Sequence, residues 1–211
     1  MILPNSYKSM IGLLFALLLC NASYGSTVRL VAIGDSLIAG YGLPVEDGFV
    51  TQLEKALKAR SFEVQIFNAG VSGDTTSGGL ARIDWVLTDD YSGVILHLGH
   101  NDAFRGIAVE QVRSNMDRLI ANIKQRGLPI VMSGAMAPRN LGPDYYLEFD
   151  SIFPDLAEKY DLIFYPFFLD GVATDPSLNQ GDGIHPNKAG VAFIVERIIP
   201  YVEQMIHQVS E

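Results

Sequence analysis

Four short stretches of this 211-residue chain carry side chains suited to acyl-transfer chemistry. The first is Gly34-Asp35-Ser36, where a serine hydroxyl follows a glycine able to make a sharp turn. The second is Asn68-Ala69-Gly70-Val71-Ser72-Gly73-Asp74, rich enough in glycine for a backbone N–H such as that of Gly73 to approach a ligand. The third is Gly99-His100-Asn101-Asp102, in which Asn101 offers a side-chain amide. The fourth is Gly181-Asp182-Gly183-Ile184-His185-Pro186-Asn187. Here a carboxylate three residues from an imidazole can fix its tautomer and leave the other ring nitrogen free as a base. Each stretch taken alone also reads as an ordinary turn, with Ser36 or Asp35, and Asp74 or Thr75, capping a helix. Together they supply a nucleophile, a base, an orienting acid and donors for a developing oxyanion.

The segments between them show what must position these groups. Apolar runs at 28–33, 64–67, 93–98, 129–132 and 162–164 read as buried strands. Stretches at 47–59, 77–87, 109–123, 145–160 and 188–208 carry apolar residues at helical spacing. Strands without polar alternation, alternating with helices, predict a three-layer α/β/α domain around a doubly wound, five-stranded parallel sheet, of flavodoxin-like type. In such sheets ligands sit beyond the carboxyl ends of the strands, where all four stretches fall.

In order and spacing, Gly34-Asp35-Ser36, Gly73, Gly99-x-Asn101 and Asp182-x-x-His185 resemble the four sequence blocks of the SGNH (GDSL) hydrolases. Ile33 to Leu37 with Ala39-Gly40-Tyr41, Ser72 to Thr75 with Gly79 to Arg82, and Asn101-Asp102 with Arg105-Gly106 are similar to the bacterial thioesterase/lysophospholipase/arylesterase branch. The resemblance implies a serine hydrolase of carboxylic esters or thioesters working through an acyl-enzyme. It assigns Ser36 as nucleophile, His185 as base and Asp182 as its partner, with an oxyanion hole from the Ser36 and Gly73 N–H groups and the Asn101 amide. It implies no metal and no organic cofactor. Ile107 and Leu141 are expected to bound the acyl pocket. Two departures stand out: His100 replaces a small residue and is expected to point away from the site, and the loop Met136 to Gly142 is individual.

Two other classes fit less well. A silent binding domain would lack one of the five site residues, and all are present. A metal-dependent phosphoesterase would draw on Asp35, Asp182 and His185, a thin ligand supply. Of the remaining histidines, His97 is expected to be a satisfied core or edge residue and His207 to lie far from the site.

Composition sets the boundaries. Apolar residues make up 48% of the chain, enough for one sizeable core, and the formal charge of −9 offers nucleic acid no basic track. Residues 1–25 read as a secretory signal peptide, with an apolar run from Met10 to Leu19 and small residues up to Gly25, leaving 26–211 as a single domain. A retained membrane anchor and lipidation at Cys20, the sole cysteine, are the alternatives. The expected location is the periplasm or the exterior, and the expected partner a small acyl ester or thioester.

Overall fold

The computed structural model describes residues 27–87 and 90–210. The signal segment and Cys20 lie outside the described residues. Five strands, β1 (Val28–Gly34), β2 (Val64–Gly70), β3 (Gly93–His97), β4 (Ile130–Ser133) and β5 (Ile163–Tyr165), pair in parallel in the order β2-β1-β3-β4-β5. The helices are α1 (Ser36–Ala39), α2 (Phe49–Ala59), α3 (Thr76–Val86), α4 (His100–Phe104), α5 (Val109–Gln125), α6 (Pro143–Tyr160) and α7 (Lys188–Ser210).

The side-chain alternation along β1 shows why its apolar run is unbroken. Leu30 and Ala32 face a core built with α2 and α7, whereas Val31 and Ile33 face a second core built with α3, α5 and α6. Both faces are covered, so neither set of positions tolerates a polar residue. Among the described residues, no helix is long and apolar enough to cross a membrane.

The five strands and five long helices fall where apolar periodicity places them, with shifts at the ends. The segment expected as one helix from Asp47 divides at Gly48, whose extended backbone separates a 3₁₀ turn (Val45–Asp47) from α2. β2 continues to Gly70 because Asn68, Ala69 and Gly70 stay in register with Ala32, Ile33 and Gly34. The short helices α1 and α4 carry too few residues to show a period.

The chain reverses direction across the sheet between β1 and β3, since β2 adds on one side of β1 and β3 to β5 on the other. Two loops diverging from adjacent strands open a crevice there. Close approach at this edge depends on glycine. A Cβ at Gly70 would overlap the backbone nitrogen of Ala39 and lie 2.8 Å from its Cα. Backbone cannot swing aside as a side chain can. Gly70→Ala is therefore expected to cost about 1–3 kcal/mol and to displace α1 together with Ser36. Urea unfolding and esterase assays on the same preparation check this, and a variant equal to wild type in both would contradict it.

Candidate active site

β1 delivers Ser36 to the crevice. Asp35 caps α1, its Oδ1 accepting from the Leu37 N–H at 3.0 Å. Asp35 thus holds the turn and leaves the Ser36 hydroxyl free of capping duty. Ser36 Oγ is 2.8 Å from His185 Nε2, and His185 Nδ1 is 2.7 Å from Asp182 Oδ2. Asp182 Oδ1 also accepts from the N–H groups of Ile184 and His185, at 2.9 and 3.0 Å. These backbone donors, followed by the imidazole, hold the Asp182 carboxyl down at about 2. It stays an acceptor across the working pH range.

The loop bearing this pair is braced against the first one. Gln180 Nε2 donates to the carbonyls of Tyr41 and Pro186, at 2.8 and 3.0 Å, and the Gln180 N–H to the His185 carbonyl at 2.7 Å. The Tyr41 ring lies 4.6 Å from the His185 ring, centroid to centroid.

Two further loops carry the remaining donor candidates, of which Asn101 lines the cavity. Gly73 adopts a left-handed conformation (φ 81°), and its N–H meets no acceptor among the described residues. Thr75, one of the two caps named from the sequence, accepts from the Gly78 N–H at the start of α3. Arg82 fastens the loop from beneath. Its guanidinium donates to Asp74 Oδ2 (2.8 Å), the Ala69 carbonyl (2.8 Å) and the Gly34 carbonyl (3.2 Å), tying the ends of β1 and β2 together. Asn101 stands in the first turn of α4 with Nδ2 3.2 Å from Asp35 Oδ2. Its neighbour Asp102 is buried and accepts from the N–H and hydroxyl of Thr76, at 2.9 and 2.6 Å, which locks α4 to α3. In the sequence Arg82 stands out only through the resemblance, and Asp102 only as a member of the third stretch. Their positioning work depends on partners that sequence spacing does not reveal.

The crevice opens into a cavity of about 560 Å³ bounded by Leu37, Phe104, Met136, Pro138, Phe167 and Ile184, with Ser36, His185 and Asn101 at its polar end. Ile107 and Leu141 are not among its lining residues. Ile107 packs against the core beneath α5 and α6, and its carbonyl accepts from the Tyr145 hydroxyl. Leu141 ends a 3₁₀ turn (Arg139–Leu141) that carries it past the cavity, leaving Met136 to Arg139 as the wall.

His100 corrects the expectation that it points away. It is buried, lines the cavity, and its Nδ1 lies 3.1 Å from His97 Nε2. His97 is fully buried and its Nδ1 contacts Ser133 Oγ at 2.7 Å, the satisfied core residue anticipated for it. His207 packs against Phe62 at the far end of α7. Asp35, His97 and His100 each offer one ligand atom, all within 4.8 Å of one another, so the thin set proposed from sequence (Asp35, Asp182, His185) is not the one that clusters.

A serine hydroxyl in contact with a buttressed imidazole stands at the mouth of an apolar cavity, an arrangement that suits a hydrolase of acyl esters. The chain belongs to the GDSL-like lipase/acylhydrolase family, which it matches over residues 32–193. It is 37% identical to an arylesterase of Vibrio mimicus over 83% of this chain and 88% of that one. It is 33% identical to the esterase TesA of Pseudomonas aeruginosa over 84% and 89%. The crystal structure of AlinE4, an SGNH-hydrolase family esterase, superposes with a TM-score of 0.72 at 42% identity, covering 85% of this chain and 97% of that one.

Burial pushes the Asp35 carboxyl up to about 6, partly offset by the Leu37 N–H. Because this exceeds the unfolded value of 3.8, folding favours the protonated form. The contribution is full at low pH and is lost as pH rises from about 4 to about 6. Burial lowers His100 to about 4, giving the opposite slope: stability is gained as pH rises from about 4 towards 6.5. Asp35→Asn keeps a capping oxygen and removes only the first slope. Relative to wild type, this variant is expected to gain on the order of 3 kcal/mol between pH 4 and pH 7. Chemical denaturation across that range measures it; a difference that does not vary with pH would contradict the assignment.

Proposed function

We propose that this hydrolase cleaves carboxylic esters and thioesters of arylesterase, thioesterase or lysophospholipase type through an acyl-enzyme on Ser36. The observation that carries the reading is the unbroken chain from Ser36 Oγ through His185 to Asp182, with contacts of 2.8 and 2.7 Å. His185 Nε2 takes the hydroxyl proton as Oγ attacks the acyl carbonyl, and Asp182 stabilises the resulting imidazolium. The Ser36 N–H opens a helical turn, where helix geometry provides no acceptor. With the Gly73 N–H and the Asn101 amide it receives the oxyanion. His185 then protonates the departing alkoxide or thiolate. Water, activated by the same imidazole, attacks the acyl-enzyme and releases the acid.

The apolar cavity suits an acyl chain, with Phe104, Met136 and Phe167 as its walls in place of Ile107 and Leu141. The names of the similar proteins, esterase and arylesterase, support the same reaction class. The signal-like start of the sequence supports export to the periplasm or beyond.

Ser36→Ala is expected to abolish hydrolysis of p-nitrophenyl esters with an unchanged circular dichroism spectrum; retained turnover would sink the proposal. Asn101→Ala removes one of three oxyanion donors and is expected to lower kcat roughly 10²–10³-fold. Steady-state kinetics on p-nitrophenyl butanoate reads this directly. A change confined to KM would mean that Asn101 only binds the ground state.

A further inference from the structure

Behind Asn101 runs a second polar chain that the hydrolytic steps leave unused. Ser133, His97 and His100 are all buried. Their contacts run Ser133 Oγ to His97 Nδ1 (2.7 Å), then His97 Nε2 to His100 Nδ1 (3.1 Å). The His97 ring stacks on Phe168 with centroids 4.3 Å apart, which fixes its plane. Burial lowers both imidazoles, His97 well below its ordinary value, so both rings are neutral at neutral pH.

A neutral imidazole carries one N–H and one acceptor nitrogen, so the direction of the chain is a matter of proton inventory. Among the described residues, Ser133 Oγ has no other hydrogen-bond partner. Were it to accept from His97, its own hydrogen would be buried without an acceptor, the costly arrangement. Ser133 therefore donates to His97 Nδ1. His97 then carries its proton on Nε2 and donates to His100 Nδ1. His100 in turn carries its proton on Nε2. That nitrogen has no protein partner among the described residues. Nor is that nitrogen sealed from solvent; among the described residues the Tyr165 hydroxyl is the one fully enclosed side-chain atom without a partner. The His100 Nε2 belongs to a ring that lines the cavity.

We infer that the His100 Nε2–H is a specificity-determining donor inside the acyl cavity, selecting acyl groups that carry an acceptor oxygen over plain alkyl chains of equal length. This rests on the reading of Ser36 as nucleophile and of the cavity as the acyl site. An alkyl chain covering the Nε2–H leaves a donor unmatched, whereas an ether or keto oxygen satisfies it; a site built around a hydrogen bond discriminates most strongly against analogues that lack one. His97 and Ser133 act through His100 as positioning residues, setting its tautomer. The competing occupant is a divalent transition-metal ion held by Asp35, His97 and His100.

The test compares kcat/KM for p-nitrophenyl 3-methoxypropanoate and p-nitrophenyl pentanoate, chains of equal length in which an oxygen replaces one methylene. The ratio is measured in wild type, His100→Phe, His100→Leu and Ser133→Ala, so that the intrinsic reactivity of the two esters cancels between variants. Folding of each is checked by circular dichroism, and the leucine variant serves if phenylalanine does not fit. The wild-type ratio is expected to exceed that of both His100 variants by roughly 3- to 10-fold, the worth of one neutral hydrogen bond. Ser133→Ala should move it in the same direction. Equal ratios in wild type and variants, with wild type hydrolysing both esters, would overturn the inference and leave the Ser36 reading standing. No hydrolysis by wild type, together with a Ser36 that fails to react with a fluorophosphonate, would overturn that reading itself. One-to-one uptake of Zn²⁺ by wild type that His100→Phe abolishes would replace the donor chain with a metal site.

Discussion

Everything at this crevice depends on the buried carboxylate of Asp35. It caps the turn that presents Ser36, accepts from Asn101 and pays a desolvation penalty for lying there. The cost is tolerable because two N–H donors satisfy it. Through this one group the backbone turn that carries Ser36 and the Asn101 amide 66 residues away share a reference point. Without a capping oxygen at this position the turn that presents Ser36 would lose the bond that closes it on the Leu37 N–H.

The remaining parts are added by ties between loops. Arg82 binds the ends of β1 and β2, Asp102 binds α4 to α3, and Gln180 binds the His185 loop to Tyr41. Each tie crosses from one strand's loop to another's. The precision of the 2.8 Å Ser36–His185 contact, between residues 149 apart, therefore comes from pairwise fastening of short rigid loops. Preorganisation of this kind lets donors meet developing charge without first reorienting.

The sheet and its long helices were legible because apolar periodicity records burial, and both cores follow it. The hydrogen-bonded set Ser36, Asp182 and His185, and the nearby Asn101, were legible because the sheet's topology brings separate motifs to one edge. Side-chain direction was not. His100 turns inward because α4 starts directly after Gly99, whose positive φ rotates the helix start so that His100 meets His97. No spacing in Gly-His-Asn-Asp encodes that. Ile107 and Leu141 mislead for a related reason: apolar character does not say whether a residue faces a cavity or the core beside it. The cavity wall falls instead to Met136 and Pro138, before the 3₁₀ turn.

His185 lies three residues ahead of α7, whose start is fastened by Asn187. The Asn187 Oδ1 accepts from the N–H groups of Ala189 and Gly190, and Gly190 packs against the Leu178 carbonyl so closely that no side chain fits there. α7 is the longest helix described and is buried along its length against the sheet. The imidazole's loop is thus an extension of the most deeply anchored element rather than a separate flap. It has little room to melt on its own. Heat inactivation and collapse of the whole domain should be one cooperative event, so that surviving activity serves as a gauge of the folded fraction.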